Sequence, residues 1–142
     1  MPNALDVRSL TTDIQLSRSV VHAVGNVDIA IETGETLGLV GESGCGKSML
    51  GLSILGLLPP GGRIVDGSVK LEGRELVGLP DRALRELRGN QVAMIFQDSQ
   101  SSLNPTKTIG EQVAEPVRLH RGVSRKEAAE RALEVLDLVG LP

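Results

Sequence analysis

Aromatic side chains and cysteines are almost missing from this sequence. Phe96 is the single aromatic residue among 142, there is no Trp or Tyr, and Cys45 is the single cysteine. One cysteine cannot build an internal disulfide framework, which fits a reducing compartment. With 17 glycines and 40% hydrophobic residues, the sequence predicts a globular domain whose core consists of Leu, Val and Ile packed around tight backbone turns.

Long apolar segments and an excess of basic charge are also missing. The longest apolar run, residues 49–58, has ten residues and includes Ser53, whereas a helix that spans a bilayer needs about 20. Residues 1–10 lack the apolar segment of a secretory signal. Lys and Arg number 15 against 18 Asp and Glu, a net charge of −3, which argues against nucleic acid as a partner. We expect a domain that is soluble or meets a membrane only through a partner.

Hydrophobic patterning predicts a mixed α/β arrangement. Residues 27–32 and 68–73 alternate between apolar and polar side chains, as expected of half-buried strands. The short apolar runs at 36–40 and 92–96 predict two buried strands of the kind found in parallel sheets. Residues 48–58 are apolar nearly all round and predict a buried helix.

The last part of the chain is predicted to be helical. Residues 99–107 are polar and indicate a loop. Two helices follow, and each begins with a capping box: Thr108 with Glu111, and Ser124 with Glu127. The second helix is expected to place its apolar residues on one face, namely Ala128, Ala132, Val135, Leu136 and Val139.

Residues 41–48, Gly-Glu-Ser-Gly-Cys-Gly-Lys-Ser, match the phosphate-binding pattern G-x-x-x-x-G-K-[ST] at every fixed position. The glycines allow a tight turn in which several N–H groups converge on one anion, and the positive end of the following helix adds to the same place. Lys47 is placed to reach the β- and γ-phosphates, and Ser48 offers a hydroxyl to Mg²⁺. The expected nucleotide-binding residues are Gly41, Ser43, Gly44, Cys45, Gly46, Lys47, Ser48 and Met49.

Two neighbouring residues after the second apolar run are candidates for a role at the magnesium site. In one interpretation Asp98 is a carboxylate ligand of Mg²⁺ at a strand end. In the other, Gln97 is the functional group, because a neutral amide can reach Mg²⁺ or water and then move away. The chemistry of the two side chains leaves both interpretations open.

Three segments resemble the ATP-binding subunit of ABC transporters, in particular the dipeptide/oligopeptide/nickel permease branch. They are GESGCGKS at 41–48, LEGREL at 71–76 and MIFQDSQSSLNP at 94–105, and residues 108–112 are similar to the start of the family's helical subdomain. The resemblance covers essentially the whole chain. It implies an α/β fold of the P-loop NTPase class, an ABC-type nucleotide-binding domain that is incomplete. Residues 1–98 would form a β-rich, RecA-like part of the ATP-binding core with Walker A and Q-loop, and 99–142 the beginning of the helical subdomain.

The resemblance also implies a function. It indicates an energy-coupling subunit, or an N-terminal fragment of one, of an importer for peptides or similar solutes. The implied cofactors are ATP and Mg²⁺, with Gln97 as the Q-loop glutamine that shares the Mg²⁺ shell with Ser48. The implied partners are transmembrane permease subunits, a second ATP-binding subunit in a head-to-tail dimer and, indirectly, a solute-binding protein. The implied location is peripheral, on the cytoplasmic side of the cell membrane.

Several elements of the family have no match in these 142 residues. They are the LSGGQ signature, a later apolar run ending in Asp-Glu, and the switch histidine, since His22 and His120 lie elsewhere. The stacking aromatic expected before the loop is replaced by Val20-Val21-His22, where Val21 or His22 could contact adenine. We therefore expect nucleotide binding with little or no ATP turnover. The alternatives are a small P-loop kinase or NTPase that uses Asp98, and an inactive nucleotide-binding remnant.

Overall fold

The computed structural model describes residues 3–97 and 102–141. These residues form two compact units that divide between Arg85 and Glu86. Among the described residues, no helix has the length and apolar character needed to cross a membrane. The elements, in chain order, are β1 Leu5–Gln15, β2 Val20–Ile31, α1 Lys47–Leu55, β3 Gly62–Leu71, β4 Arg74–Glu75, α2 Asp81–Leu87, α3 Ile109–Arg121 and α4 Arg125–Leu138.

The first unit is built on a four-stranded antiparallel sheet with the order β2-β1-β3-β4. β1 lies between β2 and β3 and pairs with both along most of its length. The buried side chains Val7, Leu10 and Val69 come from these strands and contribute to the core. The strands predicted at 27–32 and 68–73 overlap β2 and β3, which in the structure begin earlier.

β1 has no counterpart among the predicted strands because its alternation is broken. Val7 and Leu10 are both fully buried, although they are an odd number of residues apart. The register with β2 shifts between these two residues, and Ser9 adopts a φ of 47° there. A bulge of this kind moves the buried side chains by one residue, so a search for strict alternation does not detect the strand.

α1 is joined to β1 by a pair of buried hydroxyl groups. The Ser53 hydroxyl donates to the Met49 carbonyl at 2.7 Å, and it lies 2.9 Å from the Thr12 hydroxyl. Ser53 therefore accepts the hydrogen of Thr12, and both buried side chains are satisfied. The helix ends at Leu55 rather than at the predicted residue 58, because Gly56 adopts a left-handed conformation with a φ of 62° and its amide donates to carbonyls of the last turn.

The prediction of two buried strands at 36–40 and 92–96 is wrong for this structure. Residues 36–40 have no regular secondary structure, and Val40 is 92% exposed. In the other segment only Val92 forms an isolated bridge, and Ile95 is 98% exposed. An apolar run becomes a buried strand only where adjacent strands pair with its backbone and other elements cover its faces. Within its own unit, neither segment has such neighbours, and the expected parallel sheet is not formed in the described residues.

The capping boxes predicted for α3 and α4 are confirmed. The Glu111 amide donates to the Thr108 hydroxyl at 3.2 Å, while the Glu111 carboxylate accepts from the Thr108 amide at 3.1 Å. Ser124 and Glu127 form the same reciprocal pair. In both boxes, hydrogen bonds from the capping residue lower the pKa of the glutamate, since they favour its ionised form.

The apolar face predicted for α4 is only partly covered. Ala128 and Ala132 are buried within the second unit, whereas Val135 is 37% and Val139 67% exposed. The periodicity of the sequence thus identifies the helix and the face that packs against α3. It does not tell how far along the helix the packing extends, because that depends on the length and position of the neighbouring helix.

Glu75 fixes the end of the sheet through hydrogen bonds to one carboxylate. It accepts from the Ser68 hydroxyl and, at 3.0 Å each, from the amides of Val69 and Val77. Burial raises the pKa of Glu75, but the hydrogen bonds outweigh that effect, so that the pKa lies below its ordinary value of 4.5. The ionised carboxylate is therefore part of the folded structure.

Glu75 should make the folded state sensitive to acid. Because its pKa is lowered on folding, its contribution is fully present above pH 4.5 and is lost as the pH falls through the lowered pKa. We expect Glu75→Gln to reduce the free energy of unfolding at neutral pH by about 1–3 kcal/mol, and to flatten the loss of stability below pH 4.5. Urea unfolding at several pH values measures this. Glu72→Gln, at an exposed site on the adjacent turn, is the matched control, and equal stability of the two variants would contradict the account.

Candidate phosphate-binding site

The loop at residues 41–46 leads directly into the first turn of α1. Gly46 is the N-cap of the helix with a φ of 96°, and Gly44 has a φ of 85°. No side chain caps this helix, and no acidic residue lies in its first turn. The first amides of α1 and the positive end of its dipole thus remain available to an external anion.

The ammonium group of Lys47 is held across the loop. Its Nζ donates to the carbonyl oxygens of Gly41 at 2.7 Å and Glu42 at 2.6 Å, and it lies 3.4 Å from Sγ of Cys45. The lysine therefore supplies a positive charge at the same place to which the helix N-terminus points. An arriving phosphate oxygen would compete with two carbonyl oxygens for this ammonium group.

β2 packs against the phosphate-binding loop through the backbone of Ala23. A Cβ atom added at Gly46 would lie 2.6 Å from the carbonyl oxygen of Ala23, far inside van der Waals contact. Only glycine allows this approach, and the same residue requires the positive φ that favours glycine. The sequence pattern identifies Gly46 but gives no signal for Ala23, because the contact uses a backbone carbonyl of a residue distant in sequence.

The predicted nucleotide-binding residues lie together in the first unit, from the loop to the first turn of α1. Ser43, Gly44, Cys45 and Ser48 are exposed, while Gly46, Lys47 and Met49 are half-buried. The backbone amides at the start of α1 and the ammonium group of Lys47 converge here, and exposed surface surrounds them. This arrangement suits a polyphosphate. Cys45 is a free cysteine at the surface of this loop.

The candidates for magnesium ligation fall into different parts of the chain. Ser48 belongs to the loop, whereas Gln97 is an exposed residue of the second unit without regular secondary structure. Asp98 lies outside the described residues. Within residues 3–97 and 102–141, no group of three or more His, Cys, Asp or Glu side chains could hold a metal ion.

The two histidines also lie in different units. His22, on β2, directly precedes Ala23, and its Nδ1 donates to Asp13 at 2.7 Å. His120 belongs to α3, and its Nε2 would be 3.4 Å from a Cβ atom added at Gly89. Only His22 is therefore next to the residue that contacts the phosphate-binding loop.

Comparison with known proteins gives a consistent result. A family model described as ABC transporter matches residues 24–142. A probable peptide ABC transporter ATP-binding protein of Sinorhizobium fredii is 53% identical over 136 residues, which cover 95% of this chain and 41% of that protein. The oligopeptide transport ATP-binding protein AppD of Bacillus subtilis is 46% identical over 141 residues, which cover 99% of this chain and 43% of that protein. The chain spans less than half the length of these relatives.

Solved structures give the fold. The dimeric structure of a bacterial ABC transporter cassette matches with a TM-score of 0.83 and 28% identity, over 97% of this chain and 58% of that one. A dimeric cassette in a post-hydrolysis state, bound to ADP and Pi, matches with a TM-score of 0.79 and 27% identity, with the same shares covered. The predicted P-loop fold class of the cassette type is thereby confirmed.

Proposed function

We propose that this chain, which belongs to the ABC transporter family, forms the phosphate-binding part of the ATP-binding, energy-coupling subunit of an importer for peptides or similar solutes. The observation that carries the proposal is the convergence of the Lys47 ammonium group with the uncapped N-terminus of α1 at one loop. The solute class is proposed from the names of the relatives, which include probable peptide and oligopeptide transport proteins.

In the proposed complex, the amides of residues 43–48 donate to phosphate oxygens, and Lys47 exchanges its bonds with the loop carbonyls for bonds with the β- and γ-phosphates. Hydrogen bonds to charged groups contribute ~1.5–3 kcal/mol each, and association costs ~4–15 kcal/mol. Five such bonds sum to about 7.5–15 kcal/mol, a gain of the same order as this cost, so the phosphates bind only when the whole set of bonds forms. Ser48 and Gln97 are the proposed ligands of Mg²⁺, which neutralises part of the charge of the triphosphate.

We assign residues 1–98 to the ATP-binding core and 99–142 to the beginning of the helical subdomain. The helical part is proposed to meet the transmembrane permease subunits, which would place the chain at the cytoplasmic side of the membrane. A groove of about 350 Å³ between α3 and α4 is available to such a partner, and its lining carries charges of both signs, from Lys107, Arg118 and Arg125 and from Glu111 and Glu115. A second ATP-binding subunit in a head-to-tail dimer is proposed because the matching solved cassettes are dimeric.

Protection of Cys45 tests the proposal in solution. This residue is exposed, it lies in the loop beside Lys47, and it is the single cysteine of the chain, so a thiol reagent reports on the loop alone. We expect saturating Mg-ATP to slow maleimide labelling at least fivefold, because bound phosphates cover the loop. Labelling is followed by intact-protein mass spectrometry. Lys47→Ala should show no protection, and equal rates with and without Mg-ATP in the unchanged protein would contradict the proposal.

A further inference from the structure

The turn between α3 and α4 carries a concentration of basic side chains, and we propose that it binds an anionic lipid surface. We define the basic tip as the four residues Arg118, Arg121, Arg125 and Lys126. The tip holds the second unit of the chain against lipid headgroups by attraction between charges. The inference rests on the peripheral location proposed above and adds to it a surface that needs no nucleotide.

The first supporting observation is the distribution of charge along the chain. Four of the nine residues at 118–126 are Arg or Lys and none is Asp or Glu, although the chain as a whole has a net charge of −3. Arg118 and Arg121 lie in the last turn of α3, and Arg125 and Lys126 begin α4. Because only residues 122–124 separate the two helices, the four charges meet at one end of the helix pair.

The basic side chains are also neighbours in space and open to solvent. Arg118 and Arg125 line the same groove between α3 and α4. Arg121 is three residues after Arg118, and residues at this spacing are adjacent on the surface of a helix. All four side chains of the basic tip are exposed, and that of Lys126 is 87% exposed. The tip therefore presents one continuous basic surface.

The three arginines of the basic tip form no ion pair with any carboxylate in the part of the chain that the structure describes. The glutamates nearby have other partners. Glu111 and Glu127 belong to the two capping boxes. Glu115 lies 3.4 Å from Lys107, and Glu130 lies 3.9 Å from the lysine of the tip. An anionic surface that approaches the tip thus finds guanidinium groups without a competing ion pair.

An exposed leucine favours lipid as the source of the negative charge. Leu119 follows the first arginine of the basic tip, in the last turn of α3, and it is 67% exposed. The boundary between headgroups and acyl chains accepts basic and aliphatic side chains together, whereas a phosphate backbone offers little apolar surface. The chain has no Trp or Tyr, the residues that anchor proteins at this boundary, so charge attraction must supply most of the binding.

Sedimentation with lipid vesicles tests the proposal on the full 142-residue chain. Vesicles of phosphatidylcholine with phosphatidylglycerol are compared with vesicles of phosphatidylcholine alone. We expect the chain to bind the anionic vesicles at low salt and not the neutral ones. Binding should disappear at about 1 M salt, where charges are screened over about 3 Å.

Removal of the three arginines is expected to weaken binding to the anionic vesicles about one hundredfold, because each basic side chain near such a surface raises the binding constant about fivefold. The variant combines Arg118→Gln, Arg121→Gln and Arg125→Gln. Lysine at the same three positions keeps the charge and should bind within about threefold of the unchanged chain. Circular dichroism of each variant shows whether a loss of binding arises from unfolding.

The matched control removes three arginines of the first unit that are also exposed. It combines Arg18→Gln, Arg63→Gln and Arg74→Gln, so that the net charge changes equally while the basic tip is intact. This variant should bind the anionic vesicles within about threefold of the unchanged chain, since charges farther from the membrane than the Debye length are largely screened.

Further measurements identify the ligand of the basic tip. Lys47→Ala should bind the vesicles as the unchanged chain does, because the lipid phosphates meet the tip and not the loop at 41–48. Leu119→Gln should weaken binding to the vesicles about fivefold and leave binding to a DNA duplex unchanged. If duplex DNA or polyglutamate binds more tightly than the anionic vesicles, the tip fits an acidic macromolecule and the lipid surface is the wrong ligand.

The outcomes separate the lipid surface from the phosphate site. If the unchanged chain does not bind anionic vesicles, or if the glutamine variants of the tip and of the control bind equally, the basic tip does not meet lipid. Protection of Cys45 by Mg-ATP in the same samples would then leave the proposed function standing. If the vesicles are bound through the tip and Mg-ATP gives no protection, the phosphate-binding function fails and the lipid contact stands.

Discussion

Replacing Lys47 by alanine is expected to remove measurable binding of Mg-ATP. The variant loses the one ammonium group placed at the loop, and with it the charge-assisted hydrogen bonds to the phosphates, which contribute ~1.5–3 kcal/mol each. The attraction between this positive charge and the triphosphate is lost as well, whereas the bonds of Lys47 to the carbonyls of Gly41 and Glu42 are given up on binding and do not add to the affinity. Together these losses predict an affinity reduced more than about one hundredfold, measured by calorimetry or by the anisotropy of a fluorescent ATP analogue.

The matched control for this variant is Lys70→Ala. Lys70 lies in the same unit, on β3, and its side chain is exposed, so its removal changes the net charge equally without touching the loop. It should bind Mg-ATP within about twofold of the unchanged chain, since exposed charges away from a site are largely screened. Equal affinities of Lys47→Ala and the unchanged chain would show that this lysine does not contact the phosphates.

Gly46→Ala is expected to damage both the fold around the loop and nucleotide binding. The added methyl group would lie 2.6 Å from the carbonyl oxygen of Ala23, and alanine would have to adopt a φ of 96°. Strain of the backbone alone costs about 1–3 kcal/mol, and relief of the contact requires β2 and the N-terminus of α1 to move apart. We expect a loss of at least about 3 kcal/mol in the free energy of unfolding together with loss of Mg-ATP binding.

Gly44→Ala separates backbone strain from steric contact. Gly44 has a φ of 85°, similar to that of Gly46, but a Cβ atom added there meets nothing within 4 Å. The free energy of unfolding of the Gly44→Ala variant should therefore fall only by the strain of the positive φ, about 1–2 kcal/mol. Urea unfolding of the two variants gives the difference. If they are equally stable, the contact between Gly46 and Ala23 does not hold the loop in place.

Features that depend on neighbouring residues could be predicted from the sequence. The capping boxes of α3 and α4 need only a hydroxyl and a glutamate three residues apart, and the structure has both. The phosphate-binding loop is similar, because its glycines, Lys47 and Ser48 are contiguous and the helix begins among them. Such features are determined by local geometry, so the pattern and the structure agree.

Features that depend on distant partners could not be predicted in this way. The apolar run at 36–40 has strand-like composition, but a strand also needs a paired neighbour, and in this structure Val40 is exposed instead. The bulge at Ser9 interrupts the alternation of buried residues in β1, and the conformation of this bulge arises from pairing with other strands. The support that Ala23 gives to Gly46 is equally non-local, because it uses a carbonyl group that every residue has.

The backbone amides of residues 43–48 are the groups that we propose to bind the phosphates of a nucleotide. The most direct measurement is a titration of the ¹⁵N-labelled chain with Mg-ATP, followed by the amide signals in heteronuclear NMR spectra. We expect tripolyphosphate to produce the same changes as Mg-ATP, and we expect the largest changes in chemical shift on Gly44, Cys45, Gly46, Lys47 and Ser48. If the amide signals of the loop remain unchanged at saturating Mg-ATP, these amides do not bind the phosphates.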